Sequence, residues 1–182
     1  MISLMLVVIS NMVNDMQRAV FFDRDGTLNK EVHFLHKIED FQWIEGAIAA
    51  VRFCNKNGYL AIVITNQSGV ARGYYPETDI MKLYDWMNDD LKAHGAHLDG
   101  IYYCPHHPQG KISRYTMACK CRKPLPGMLF QAQREHDIDL KASYLIGDGE
   151  RDIECAKAAG VHGIKYTGGS LYEALLTGMR EN

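Results

Sequence analysis

VFFDRDGTLN, Val20 to Asn29, passes from apolar to polar within one step. Ala19 to Phe22 is a short β-branched and aromatic run of the kind that forms a buried strand, and it ends at Asp23. Asp25 follows two residues on, Gly26 permits a sharp turn, and Thr27 can hydrogen-bond that turn. Taken alone, D-x-D-G also fits a plain Asx-rich turn after a strand. The meaning of the carboxylate pair depends on how the other strands of the chain end.

They end alike. Leu60 to Ile64 runs into Thr65-Asn66, Gly100 to Tyr103 into Cys104, Tyr144 to Ile146 into Gly147-Asp148, and His162 to Tyr166 into Thr167-Gly168-Gly169. Helical stripes lie between them. Ala47, Ala50, Val51 and Cys54 precede a stop at Gly58, and Ile80, Leu83, Tyr84, Met87 and Leu91 end near Gly95. Leu125, Met128, Leu129 and Ala132 predict a third helix, and Ile153 to Ala159 a fourth, with Gly160 as its C-terminal glycine. Strand alternating with helix predicts an α/β fold, a doubly wound, Rossmann-like parallel sheet covered on both faces. Sheets of this kind bind ligands beyond the carboxyl ends of their strands, which here are the polar steps.

Composition narrows the function classes. A chain of 182 residues predicts a tail over 1–16 followed by one domain over 17–182. A net charge of −2 gives no overall positive field toward nucleic acid or anionic membrane. The apolar run Leu4 to Ile9 is too short to span a bilayer, and no Lys or Arg precedes it as in a secretory signal. The cytoplasm is the expected compartment, where thiols stay reduced.

That matters for CPHHPQGKISRYTMACKCRKP, Cys104 to Pro124, which holds three of the five cysteines and two of the eight histidines. A metal, a disulfide and chance are the candidate explanations. Cys104-x-His106 and Cys119-x-Cys121 form two ligand pairs bracketing a loop, the usual layout of a closed Zn²⁺ site. A disulfide would leave the histidine unexplained. His106 is favoured over His107 because C-x-H mirrors C-x-C. Cys54 and Cys155 fall on helix stripes and read as small core residues.

The motifs together resemble the haloacid dehalogenase-like superfamily, mostly Mg²⁺-dependent phosphatases. D-x-D-G-T-L at Asp23, Thr65 at the second strand end, Lys123 ahead of a helix, and Gly147-Asp148 with Asp152 four residues after Asp148 match its four motifs in order. The resemblance implies that Asp23 attacks phosphorus to form an aspartyl-phosphate and that Asp25 protonates the leaving oxygen and then activates water. It implies Mg²⁺ on Asp23, the backbone carbonyl of Asp25, and Asp148, with Thr65 and Lys123 on the phosphoryl oxygens. Asp152 is open between metal ligand and helix-terminus carboxylate. One departure is Gly149, where many relatives carry lysine.

The zinc loop narrows the resemblance to the D-glycero-D-manno-heptose-1,7-bisphosphate 7-phosphatases and the related histidinol phosphatases, whose C-x-C pair runs into C-R-K-P as in CKCRKP here. Thr65 to Gly73, TNQSGVARG, matches the same subgroup. It implies Asn66, Arg72 and Arg122 as substrate contacts, Arg72 and Arg122 as the pair meeting a second phosphate. Intervals 29–43, 69–77 and 105–117 are the expected substrate-reading loops, in place of a large cap. A monomer acting on a small phosphorylated substrate is expected. Histidinol-phosphate phosphatase, polynucleotide 3′-phosphatase and a non-catalytic zinc-stabilised module are the rival readings.

Overall fold

Alternate residues of the first strand, β1 (Arg18–Phe22), face opposite layers of the core: Val20 and Phe22 one way, Ala19 and Phe21 the other. A strand buried on both faces must be nearly all apolar, and RAVFF is, after its first residue. The computed structural model, which describes residues 16–181, places β1 at the centre of a five-stranded parallel sheet. The other strands are β2 (Tyr59–Asn66), β3 (Gly100–Cys104), β4 (Tyr144–Gly147) and β5 (His162–Lys165), in the order β3-β2-β1-β4-β5. The expected tail lies outside the described residues, apart from exposed Met16.

Helices α1 (Ala47–Lys56), α2 (Gly69–Arg72), α3 (Glu77–Ala93), α4 (Gly127–His136), α5 (Glu150–Ala159) and α6 (Leu171–Glu181) connect and cover these strands. The stripes of α1 and α3 are buried as their spacing requires, and Cys54 and Cys155 are free, buried core thiols. Burial pushes both thiols up to about 12. Two expectations need correction. The third helix starts at Gly127, and Leu125 stands outside it with a half-exposed side chain. α6 has no counterpart in the sequence reading, because its buried stripe of Leu171, Leu175 and Gly178 contains a glycine. A Cβ at Gly178 would lie 2.6 Å from Ile164 Cγ2, so the glycine brings α6 directly onto β5.

Strand register brings the polar ends together. Phe22 pairs with Val63 of β2 and Ile146 of β4, and Asp23 N–H extends the ladder by donating to Ile146 O at 3.0 Å. Asn66 pairs with Cys104, so the end of β2 abuts the start of the cysteine loop. The chain proceeds from β1 to one side of the sheet and returns to the other at β4, which opens a crevice at the end of β1.

Candidate active site

The turn after β1 is built around Arg24, whose carbonyl accepts from Thr27, Leu28 and Asn29 N–H at 3.2, 2.9 and 3.1 Å. Gly26 has φ +80°, and a Cβ there would meet Asp148 Oδ2 at 2.3 Å. Glycine therefore supplies both the left-handed conformation and the space for Asp148 to approach. Asp23 is almost wholly buried, its Oδ1 accepting from Arg24 N–H at 2.7 Å and forming an ion pair with Lys123 Nζ at 2.8 Å.

Lys123 is buried between two carboxylates, forming ion pairs with Asp23 Oδ1 and with Asp152 Oδ1 at 2.6 Å, and donates to Ile64 O at 2.9 Å. Burial alone would lower its ammonium, but the Asp23 and Asp152 carboxylates hold it above its ordinary value. Burial likewise pushes the Asp23 carboxyl up to about 6, with Lys123 pulling the other way and Asp152 and Asp25 adding to the rise. The other Asp152 oxygen accepts from Gly149 N–H at 3.0 Å. Asp152 thus packs at the helix start, as its carboxylate character suggested, and also holds Lys123.

Asp25 is gripped from three sides. Arg24 donates from Nε and Nη2 to Oδ1 at 3.1 and 2.8 Å, Asn29 Nδ2 donates to Oδ1 at 3.1 Å, and Gln67 Nε2 donates to Oδ2 at 3.1 Å. Gln67 Nε2 also donates to Thr65 Oγ1 at 2.9 Å, and its carbonyl accepts from Tyr75 at 2.9 Å. With that oxygen already accepting, the Thr65 hydroxyl hydrogen is left for another acceptor. Arg24, Asn29 and Gln67 were missed in the sequence; a buried arginine between two aspartates was the available signal.

These groups surround a cavity of about 170 Å³, lined by Asp23, Asp25, Thr65, Asn66 and Arg122, among others. Asn66 also clips the Lys123 backbone, accepting from its N–H at 3.0 Å and donating to its carbonyl at 3.1 Å. Of the expected substrate-reading intervals, the first gives Glu31, His33 and Phe34 and the second Tyr75; residues 105–117 give none. Arg72 does not line the cavity either. Its Nη2 lies 3.1 Å from His107 Nε2 of the cysteine loop, at the end of the short helix α2 and within electrostatic reach of Arg122. Arg151, which the sequence reading passed over, lines the cavity beside Arg122. Burial lowers the Arg122 guanidinium, with Arg151 and Arg72 acting in the same direction.

Two sites have the donors for metal. One ligand atom each from Asp23, Asp148 and Asp152 lies within 4.8 Å of the others, a set of hard oxygens. Asp148 Oδ1 is buried with no hydrogen-bond partner among the described residues, a position that a cation would satisfy. At the second, Cys121 Sγ is 3.2 Å from Cys104 Sγ, 3.3 Å from Cys119 Sγ and 3.3 Å from His106 Nδ1. Bonds of about 2.3 Å to a tetrahedral Zn²⁺ give edges of roughly 3.8 Å, whereas a disulfide needs about 2.0 Å. All three thiols are free, which corrects the disulfide alternative. His107 is turned outward, accepting from Gln109 N–H at 3.0 Å.

Comparison with known proteins identifies the family. A family model described as HAD-hydrolase-like matches residues 120–180. D-glycero-beta-D-manno-heptose-1,7-bisphosphate 7-phosphatase of Yersinia pestis is 48% identical over 79% of this chain and 76% of its own length. The protein of the same name from Escherichia coli K12 is 47% identical over 79% and 75%. Among solved structures, a D,D-heptose 1,7-bisphosphate phosphatase from B. bronchiseptica, complexed with magnesium and phosphate, superposes with a TM-score of 0.75 at 29% identity, covering 88% of this chain and 86% of that one. By identity over most of both chains, by fold and by motif order, the chain belongs to the D-glycero-beta-D-manno-heptose-1,7-bisphosphate 7-phosphatase family of haloacid dehalogenase-like hydrolases.

Proposed function

We propose that the protein removes the 7-phosphate of D-glycero-D-manno-heptose 1,7-bisphosphate through an aspartyl-phosphate on Asp23. The observation that carries this reading is the joining of Asp23, Asp25, Thr65 and Lys123 within one site in a chain 48% identical to a phosphatase of that name.

The side chains divide the work. An Asp23 carboxylate oxygen attacks phosphorus, and the sugar oxygen departs with a proton from Asp25. Water then attacks the aspartyl-phosphate, giving its proton back to Asp25, so that inorganic phosphate leaves and both carboxyl groups return to their starting states. Arg24, Asn29 and Gln67 fix the Asp25 carboxyl in one orientation through both steps. The Thr65 hydroxyl and the Lys123 ammonium face charge on the phosphoryl oxygens. Asp23, Asp148 and the Asp25 carbonyl would hold Mg²⁺, which cancels repulsion between dianion and carboxylate when bound. Cys104, His106, Cys119 and Cys121 would hold Zn²⁺ as a structural ion, and reduced thiol ligands suit the cytoplasm.

Steady-state kcat/KM on the heptose bisphosphate, histidinol phosphate and a 3′-phosphorylated oligonucleotide tests the reading. The heptose bisphosphate is expected to be preferred; a preference for either rival would overturn it.

A further inference from the structure

Basic side chains near the cavity fall into two groups. Arg24 is bound to Asp25, Lys123 to Asp23 and Asp152, and Arg72 lies against His107 outside the cavity. Arg122 and Arg151 line the cavity, and among the described residues neither lies within 4.0 Å of a carboxylate oxygen, Glu31 of the same cavity being only within electrostatic reach of Arg151. Two guanidiniums held side by side repel each other, and that arrangement favours a dianion arriving between them.

Gly149 accounts for how Arg151 reaches this position. Its backbone, φ −95° and ψ 151°, is open to any residue, so conformation does not require glycine. Space favours it. A Cβ at position 149 would lie 3.0 Å from Asp152 Oδ2 and 3.2 Å from both Cγ and Nε of Arg151. The arginine stem folds back across the bare glycine from the first turn of α5, and a side chain at 149 would press on it and on Asp152, so that each must give by a few tenths of an ångström.

We propose that Arg151, admitted by Gly149, determines specificity by binding, together with Arg122, the phosphate of the bisphosphate that is not being transferred. The inference rests on the bisphosphate reading above for the identity of the ligand. Arg151 touches none of the reacting groups in the structure; its contribution is to hold the far end of the substrate.

The test uses hydrolysis of p-nitrophenyl phosphate as reporter. Heptose 1,7-bisphosphate and heptose 7-phosphate are added as competitors, so their binding is measured whether or not they are turned over. Arg151 is exposed, which places its effect at the low end for a charge-assisted contact. Arg151→Ala is expected to weaken the bisphosphate about 5- to 20-fold more than the monophosphate, and to act on KM rather than kcat when the bisphosphate is the substrate. Arg151→Lys should recover part of that ratio, because it restores charge without the planar fork. Gly149→Ala should lower the ratio in the wild-type background and leave it unchanged in the Arg151→Ala background. Equal weakening of both sugars, or no change in the ratio, would overturn the assignment. If wild-type enzyme binds the bisphosphate with the Arg151-dependent ratio yet does not hydrolyse it, the proposed substrate fails and the anion clamp stands.

Discussion

Asp152 is the residue whose role the structure sharpens most, and Asp152→Asn tests it. Both carboxylate oxygens have partners: Oδ1 faces Lys123 Nζ at 2.6 Å, and Oδ2 accepts from Gly149 N–H at 3.0 Å. The role that follows is to hold Lys123, with metal binding left to Asp23 and Asp148. Asparagine is nearly isosteric but has one acceptor. It can serve Lys123 or Gly149, and its amide then presents N–H to the other donor. Removing one partner of a buried ion pair costs about 3–5 kcal/mol; Asp23 remains beside Lys123, so we expect about 2–4 kcal/mol. For a chain of this size that lowers Tm by roughly 5–15 °C. A misplaced Lys123 should lower kcat/KM on the order of a hundredfold, while the Mg²⁺ concentration for half-maximal rate stays as in wild type. Thermal denaturation and a Mg²⁺ titration of steady-state rate read these quantities separately. An unchanged Tm with a Mg²⁺ requirement raised roughly tenfold, about 1.4 kcal/mol, would show that Asp152 is chiefly a metal ligand and refute the reasoning.

Further outcomes follow from the same geometry. Asp23→Asn should abolish turnover and phosphoenzyme formation in an intact fold; acid-quench labelling and circular dichroism check this, and near-normal kcat would move the nucleophile elsewhere. Gln67→Leu removes one donor from both Asp25 and Thr65 and strands the Tyr75 hydroxyl; kcat should fall about 10- to 100-fold, with Tm lowered by several degrees. Protein purified without chelator should contain one Zn²⁺ per chain by elemental analysis, and Cys119→Ser should lower both zinc content and Tm. Full occupancy and unchanged stability in that mutant would remove Cys119 from the ligand set.

Much of the fold and site was legible because chemistry constrained residue type at fixed places. A parallel strand buried on both faces reads as an apolar run; β2 ends on Thr65-Asn66, and β1 and β4 are each followed at once by an aspartate, Asp23 and Asp148. The cysteine loop was legible from composition, since no packing demand concentrates thiols and imidazole in an irregular segment. What stayed hidden depended on side-chain direction. Nothing in the order of residues shows that Arg72 turns toward His107 while Arg151 turns over Gly149 into the cavity. The grip of Arg24, Asn29 and Gln67 on Asp25 joins residues up to 42 positions apart, which only the assembled sheet brings together. α6 escaped because a glycine performs the packing that an apolar side chain usually signals.

The cysteine cluster and Lys123 belong to one mechanical unit. Cys104 is the last residue of β3 and pairs with Asn66; its carbonyl accepts from Gln67 N–H at 2.8 Å. Asn66 in turn clips the backbone of Lys123, two residues beyond Cys121. Gln67 sets the Thr65 hydroxyl and the Asp25 carboxyl. One end of the cluster is therefore tied to the strand end that orients Thr65 and Asp25, and the other to the chain that delivers the lysine. From the far side, Ala71 O accepts from Lys111 and Ile112 N–H at 2.7 and 2.9 Å, fastening the loop to α2. A buried ammonium fixed by two ion pairs and one hydrogen bond leaves little room for its backbone to wander, and a loop without a core of its own cannot supply that restraint through packing alone. Ligation of a metal ion at the four side chains would supply it. Loss of the zinc ligands should consequently lower kcat on mono- and bisphosphate substrates alike through Lys123 and weaken the bisphosphate further through Arg122, which lies between Cys121 and Lys123, whereas Arg151→Ala should leave kcat unchanged.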